Sequence, residues 1–288
     1  MRFGAVFPQT EIGTDPVAIR DYVQAIEDLG YDYLLTYEHI LGADPASYAN
    51  GRRFTYTYRD MFHEPFVLFG YLAALTRRLE LVTGILILPQ RNTALVAKQA
   101  AEVDILTGGR LRLGVGVGWN QAEMEGVGYD FNTRGQRIEE QIVVLRELWT
   151  KPLVTFTGRY HTIRSLGINP LPVQRPIPLW FGGSARPVLR RMARFGDGWI
   201  PTGLTPEQGQ PLVEQLHRHL AEEGREPTAF GIDVRISLAQ QPRSTWEAYL
   251  TGWQTLGATH VCLNTMKAGF SSVQQHIEAL RQFKSEMG

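Results

Sequence analysis

His39 is the best candidate in this chain for proton chemistry. It follows the apolar run Tyr33–Thr36 at once. An imidazole of ordinary pKa changes charge near neutrality, so at a strand end it can take or give a proton. Glu38 is its neighbour, but successive side chains of an extended segment diverge, so sequence does not require them to touch. Gly182-Gly183-Ser184 is the second candidate. Glycines at a strand-to-helix junction let a ligand approach the main chain, and free N–H groups at the helix start favour an anion such as phosphate. Ser184 adds a hydroxyl, for the ligand or as a helix cap. The third is Leu111–Gly118, where Leu111, Leu113, Val115 and Val117 alternate with Arg112, Gly114, Gly116 and Gly118. On a strand the apolar set packs on helices, and the glycine set clears space for a flat ligand. The competing reading of those glycines is tight packing with no ligand.

Other chemistries lack their residues. His63, His161, His217, His219 and His276 fall in loops or on exposed helical patterns, His260 opens an apolar strand, and all are read as structural. No His and carboxylate pair has metal-ligand spacing. Gly-x-Ser-x-Gly is absent. Cys262 is the single cysteine, so there is no internal disulfide, and its apolar setting marks it as a small core residue.

Strand and helix patterns alternate to position these groups. The strand-like runs are Arg2–Phe7, Tyr33–Thr36, Leu81–Leu88, Leu111–Gly118, Leu179–Phe181, Gly198–Ile200, Ala229–Leu238 and His260–Leu263. Each is followed by helical pattern. Pro16–Leu29 has Asp15 as cap and Gly30 as stop, and Ala94–Leu106 ends on Gly108-Gly109. Eight such units imply a closed (β/α)8 barrel, one domain over residues 1–288. Residues 151–178 break the alternation as an insertion before the fifth strand. There, Val154–Phe156 and Arg159–Thr162 flank Thr157-Gly158 as a hairpin, and prolines follow. Barrel sites lie at the carboxyl ends of the strands. The long Glu38–His63 loop, rich in rings (Tyr48, Phe54, Tyr56, Tyr58, Phe62), can wall an apolar pocket there with Trp119.

Composition bounds the partners. Lys+Arg and Asp+Glu both number 29, giving zero formal charge, which argues against nucleic acid. A hydrophobic content of 43% suffices for a large core. No targeting leader and no 18-residue apolar run is visible, so a cytoplasmic protein without a membrane partner is expected.

Six segments in order carry a resemblance: Phe3-Gly4 with Pro8, Glu38-His39, LELVTGILILPQRN, AKQAAEVDILTGGRLRLGVGVGW, LPVQRPIPLWFGGSA and FGDGWIPTG. Together they resemble the bacterial luciferase-like monooxygenase family, and within it the oxidoreductases that use the deazaflavin coenzyme F420. The resemblance implies a barrel whose tricyclic cofactor, F420 or alternatively FMN, lies across the strand ends. It places a ring-supporting bulge with a non-proline cis bond at Gly84–Ile85, the phosphate at Gly182 and Gly183, and the reacting centre near His39. Together with the strand and loop readings above, this makes Glu38, Thr83, Gly84, Ile85, Gly116, Val117, Gly118 and Ser184 the further expected cofactor contacts and Tyr58 and Trp119 the walls toward a small-molecule substrate, and the resemblance adds a homodimer. Hydride transfer with F420 is the function implied first, then an FMN-dependent monooxygenase using oxygen, then a non-catalytic flavin-binding protein. One departure stands out. The family's sugar-phosphate dehydrogenases carry a glutamate where Trp119 stands, and a tryptophan near Ala43, so sugar-phosphate oxidation is not implied.

Overall fold

The computed structural model describes residues 1–48 and 54–288. Eight parallel strands close into a barrel: β1 (Arg2–Val6), β2 (Tyr33–Thr36), β3 (Glu80–Ile87), β4 (Leu111–Gly116), β7 (Leu179–Gly182), β8 (Gly198–Ile200), β9 (Gly231–Ser237) and β10 (His260–Asn264). Nearly every strand follows its predecessor around the ring, with β10 pairing back on β1. The helices between them are α1 (Pro16–Asp28), α2 (Pro65–Leu75), α3 (Thr93–Thr107), α4 (Gln121–Gly126), α5 (Arg134–Thr150), α6 (Arg186–Phe195), α7 (Pro206–Glu222), α8 (Trp246–Thr255) and α9 (Val273–Met287). This is the TIM-barrel architecture the alternation implies.

Local chemistry sets the ends. Asp15 accepts from the Val17 amide with Pro16 at the first helical position, and Asn92 accepts from the Leu95 amide to open α3. Gly108 closes α3 in the left-handed conformation at φ 69°. The insertion carries an antiparallel hairpin, β5 (Val154–Thr157) and β6 (Thr162–Leu166). Its second strand starts later than the sequence suggests. The Glu140 carboxylate of α5 accepts from the Arg159 and Tyr160 amides at 2.7 and 2.8 Å, which holds those residues in the turn.

Two cores follow from the period of two. Leu111, Leu113 and Val115 face outward into the large core beneath the helices. Val6, Tyr33, Leu35, Val82, Cys262 and Met266 fill the barrel interior. The amino end of the interior is shut. Tyr33 donates to Asp233 at 2.6 Å, Arg112 reaches the same carboxylate at 3.1 Å, and its guanidinium lies between the Tyr33 and Trp180 rings. Glycine is required opposite those rings: a Cβ on Gly4 would meet Tyr33 at 2.2 Å, and one on Gly198 or Gly231 would meet Trp180 at 2.2 Å. Chemistry is thereby confined to the carboxyl end. His260, against both rings, has its pKa pushed down to about 2 by burial and by Arg112 and Arg2.

At the carboxyl end the pairing of β3 with β4 slips between Thr83 and Leu86, a bulge where the resemblance places one. The Gly84–Ile85 bond is nevertheless trans. Among the described residues the cis bonds precede Pro170 and Pro176. The extra residue of the bulge makes the detour without a cis peptide. The bulge also alters the reading of the glycines. A Cβ on Gly114 would lie 2.2 Å from the Thr83 carbonyl and 2.4 Å from that of Gly84. One on Gly116 would meet the Ile85 side chain at 2.6 Å, one on Gly182 the Ile85 Cδ1 at 1.9 Å, and one on Gly118 the Ile87 side chain at 2.7 Å. These glycines are therefore not a bare shelf. They seat the bulge, and Ile85 covers the ends of β4 and β7.

Candidate functional site

His39 leaves the end of β2 and crosses to the start of α4. Its Nδ1 lies 2.8 Å from Glu123 Oε2. A carboxylate only accepts, so Nδ1 carries the hydrogen. Nε2 then has no protein partner among the described residues, and the imidazole stands among three aromatic rings. Phe62, Tyr56 and Trp119 lie 4.8, 5.3 and 5.9 Å from the imidazole, centroid to centroid. This is the geometry of an oriented acid–base group with one nitrogen free.

Glu123 is the residue that sequence reasoning missed. Its carboxylate also accepts from the amides of Ile40 (2.6 Å) and Leu41 (3.4 Å) and from Gln90 Nε2 (3.3 Å). The only sequence signal is Asn120-x-x-Glu123. Asn120 caps α4 by accepting from the Glu123 amide at 3.3 Å, the spacing of a capping box. That spacing reads as a helix start, and here the glutamate accepts from the Asn120 side-chain amide at 3.3 Å while its carboxylate reaches His39. Burial alone would raise the Glu123 pKa, but the bonds from His39 and the two amides hold it below the usual value. A depressed carboxyl contributes stability that is present at neutral pH and lost as pH falls from about 4.5 through its folded pKa. The stability difference between wild type and Glu123→Gln is expected to shrink steadily from pH 6 to pH 3 in urea denaturation. A constant difference would remove this carboxylate from the linkage.

Glu38 turns the other way. One oxygen accepts from the Ile87 amide at 2.8 Å and the other pairs with Arg91 Nε at 2.5 Å. Arg91 reaches on to Glu64 at 2.9 Å, and Glu64 in turn caps α2 through the Val67 amide. Both Glu38 oxygens are thus engaged in tying the end of β3 to the β2 loop. Burial raises the Glu38 pKa, with Arg91 opposing. Thr83 is likewise engaged, its hydroxyl donating to the Gly114 carbonyl at 2.8 Å.

The β7–α6 corner is open. Gly183 (φ 99°) and Ser184 are exposed, and the Trp199 indole donates to the Gly183 carbonyl at 2.8 Å. Ser184 does not cap α6. Ala185 holds that position, with no side-chain cap bond, so the helix start lacks a side-chain acceptor. An exposed glycine turn before an uncapped helix fits a phosphate. Trp119 stands half exposed, and Val117 and Gly118 are partly exposed. Tyr58 lies apart from the His39 rings, exposed and stacked on Arg59. The ring loop's residues 49–53 lie outside the described residues.

Two histidines read as exposed are buried. His276 bonds Thr265 at 2.8 Å and sits 3.3 Å from Glu11, and burial pushes its pKa down to about 4. His219 is buried on α7 beside Glu222. Their helices dock those faces on the barrel. Among the described residues no cluster of His, Cys, Asp and Glu is placed to hold a metal ion, and no helix is long and apolar enough to cross a membrane.

Fold and site define a (β/α)8 barrel with an exposed glycine turn before an uncapped helix and an oriented histidine at its open end. The chain belongs to the luciferase-like monooxygenase family, whose model matches residues 1–287. An uncharacterized Mycobacterium tuberculosis protein is 41% identical over 177 residues, 62% of this chain and 60% of that protein. An FMNH2-dependent dimethylsulfone monooxygenase of Pseudomonas putida is 33% identical over 177 residues, 60% of this chain and 48% of that protein. The matches thus cover less than two thirds of these relatives' lengths. Among solved structures, a Streptomyces bottropensis monooxygenase superposes with a TM-score of 0.81 at 17% identity, covering 100% of this chain and 98% of that one. An F420-dependent secondary alcohol dehydrogenase, solved with an F420-acetone adduct, does so at 0.76 and 18%, covering 98% and 97%. At such identities these likenesses show the fold.

Proposed function

We propose that this chain is an oxidoreductase that transfers a hydride between coenzyme F420 and a small organic substrate. The observation that carries this reading is the uncapped start of α6 behind the exposed Gly183-Ser184 turn, at the same barrel end as His39. It offers the main-chain N–H groups of Ser184, Ala185 and Arg186 to a phosphate without a competing side chain; Pro187 has no N–H, and the Val188 amide is bonded to the Ala185 carbonyl at 2.8 Å. When bound, the deazaflavin supplies or accepts the hydride. The chain's own residues bind, orient and exclude water. Gly182, Gly183 and Ser184 would hold the phosphate. The bulge residues Thr83, Gly84 and Ile85 and the turn Gly116–Gly118 would border the ring, with Ile85 as its apolar floor. His39 Nε2 would exchange a proton with the substrate, while Glu123 keeps the hydrogen on Nδ1. Trp119 would close the substrate side.

The Pseudomonas relative supports a second reading, an FMN-dependent monooxygenase, since an FMN phosphate suits the same corner. Absorbance titration of the purified protein with each cofactor decides between them. F420 is expected to saturate at micromolar concentration, with FMN at least about tenfold weaker. The reverse order assigns the FMN reading, and no binding of either removes both.

A further inference from the structure

The interior face of β9 carries a cation that no neighbour neutralises. Asp233 points inward, since it bonds Tyr33 and Arg112 across the barrel. Two residues on, Arg235 points inward as well, one layer nearer the open end. Its guanidinium lies 4.9 Å from the Tyr37 ring centre, and Tyr37, just past the end of β2, packs against the interior cluster of Tyr33 and Leu35. The residue is partly exposed, yet its Nε is buried with no hydrogen-bond partner.

The contrast with two other buried arginines, one inside the barrel and one in the turn after β3, is plain. Arg112 has Glu80 and Asp233, and Arg91 has Glu38 and Glu64. Among the described residues no carboxylate lies within 4 Å of Arg235. Asp233 is already committed to Arg112. Cys262, its partner across the β9–β10 register, is no counter-ion. Burial raises that thiol to about 11, so it stays protonated. An arginine cannot shed its charge, and an unpaired cation held out of water is costly. Tyr56, which the Arg235 charge also reaches, stacks 5.3 Å from His39, and Lys267 Nζ sits 5.0 Å from the same Tyr56 ring. The cation therefore lies on the His39 side of the mouth, apart from the β7–α6 corner.

We propose that Arg235 receives the carboxylate of the substrate, which makes a small organic acid the substrate class of this barrel mouth. A guanidinium fork fits a carboxylate through two parallel bonds. The inference rests on the proposed function only in taking the mouth as the substrate site.

Calorimetric titration of the full chain with benzoate and with benzamide tests it. Wild type is expected to bind benzoate at least about tenfold more tightly. Arg235→Gln should lose that preference, Arg235→Lys should keep part of it, and added inorganic phosphate should not displace benzoate. Equal binding of the two probes by wild type, or no binding of benzoate, overturns the proposal. So does a preference that survives in Arg235→Gln or yields to phosphate, and the wild-type and Arg235→Lys results stand even if Arg235→Gln does not fold. F420 and FMN titrations of the same proteins separate the two readings. Cofactor binding without benzoate binding fails this inference alone, and the converse fails the proposed function alone.

Discussion

His39→Ala is expected to lower turnover by about 10²–10⁴-fold with cofactor affinity nearly unchanged. The imidazole is held on one side by Glu123 at 2.8 Å and ringed by Phe62, Tyr56 and Trp119, so only Nε2 is available to a substrate. Removing it does not strand Glu123, which keeps the Ile40 and Leu41 amides and Gln90. The variant should therefore fold, and its loss should fall on kcat. Glu123→Gln, which weakens the hold on Nδ1, should give a smaller loss and an altered pH profile. Steady-state kinetics at saturating cofactor check both. Turnover equal to wild type in His39→Ala would strip this histidine of its role.

Arg91→Ala should destabilise the protein by about 3–5 kcal/mol, the scale for leaving one member of a buried ion pair uncompensated. The Glu38 side chain is 1% exposed, so water cannot screen it. Its pKa is already raised by burial despite Arg91. A carboxyl whose folded pKa lies above its unfolded one binds protons more readily when folded, so stability falls as pH rises through that range. The Arg91→Ala deficit should therefore shrink as pH drops toward 4.5. Glu38→Gln in the same background should recover much of the loss at neutral pH. Urea denaturation from pH 7 to pH 5 measures this. A deficit that ignores both pH and the second substitution would mean that Arg91 acts through packing on Phe66 instead of through charge.

The same pair shows where sequence reading stops. Glu38 is next to His39, and both follow β2, but the two side chains part, as alternation requires. Their partners come from positions 91 and 123, which no local spacing links to them. Arg235 tells the same story, since nothing around it in the chain says that its charge goes unpaired inside a closed barrel.

The amino-acid sequence by itself determined the strand–helix alternation, the helix cap at Asp15 and the stop at Gly108, the closed barrel, the Gly182–Ser184 turn and the strand-end place of His39. Those depend on periods of two and 3.6 and on cap chemistry, which act within a few residues. Only the tertiary structure decided that Ile85 covers Gly116 and Gly182, that Glu123 orients His39, that Arg91 neutralises Glu38 and that Arg235 stays unpaired. Those are contacts between elements far apart in the chain, and barrel closure, not local preference, brings them within reach.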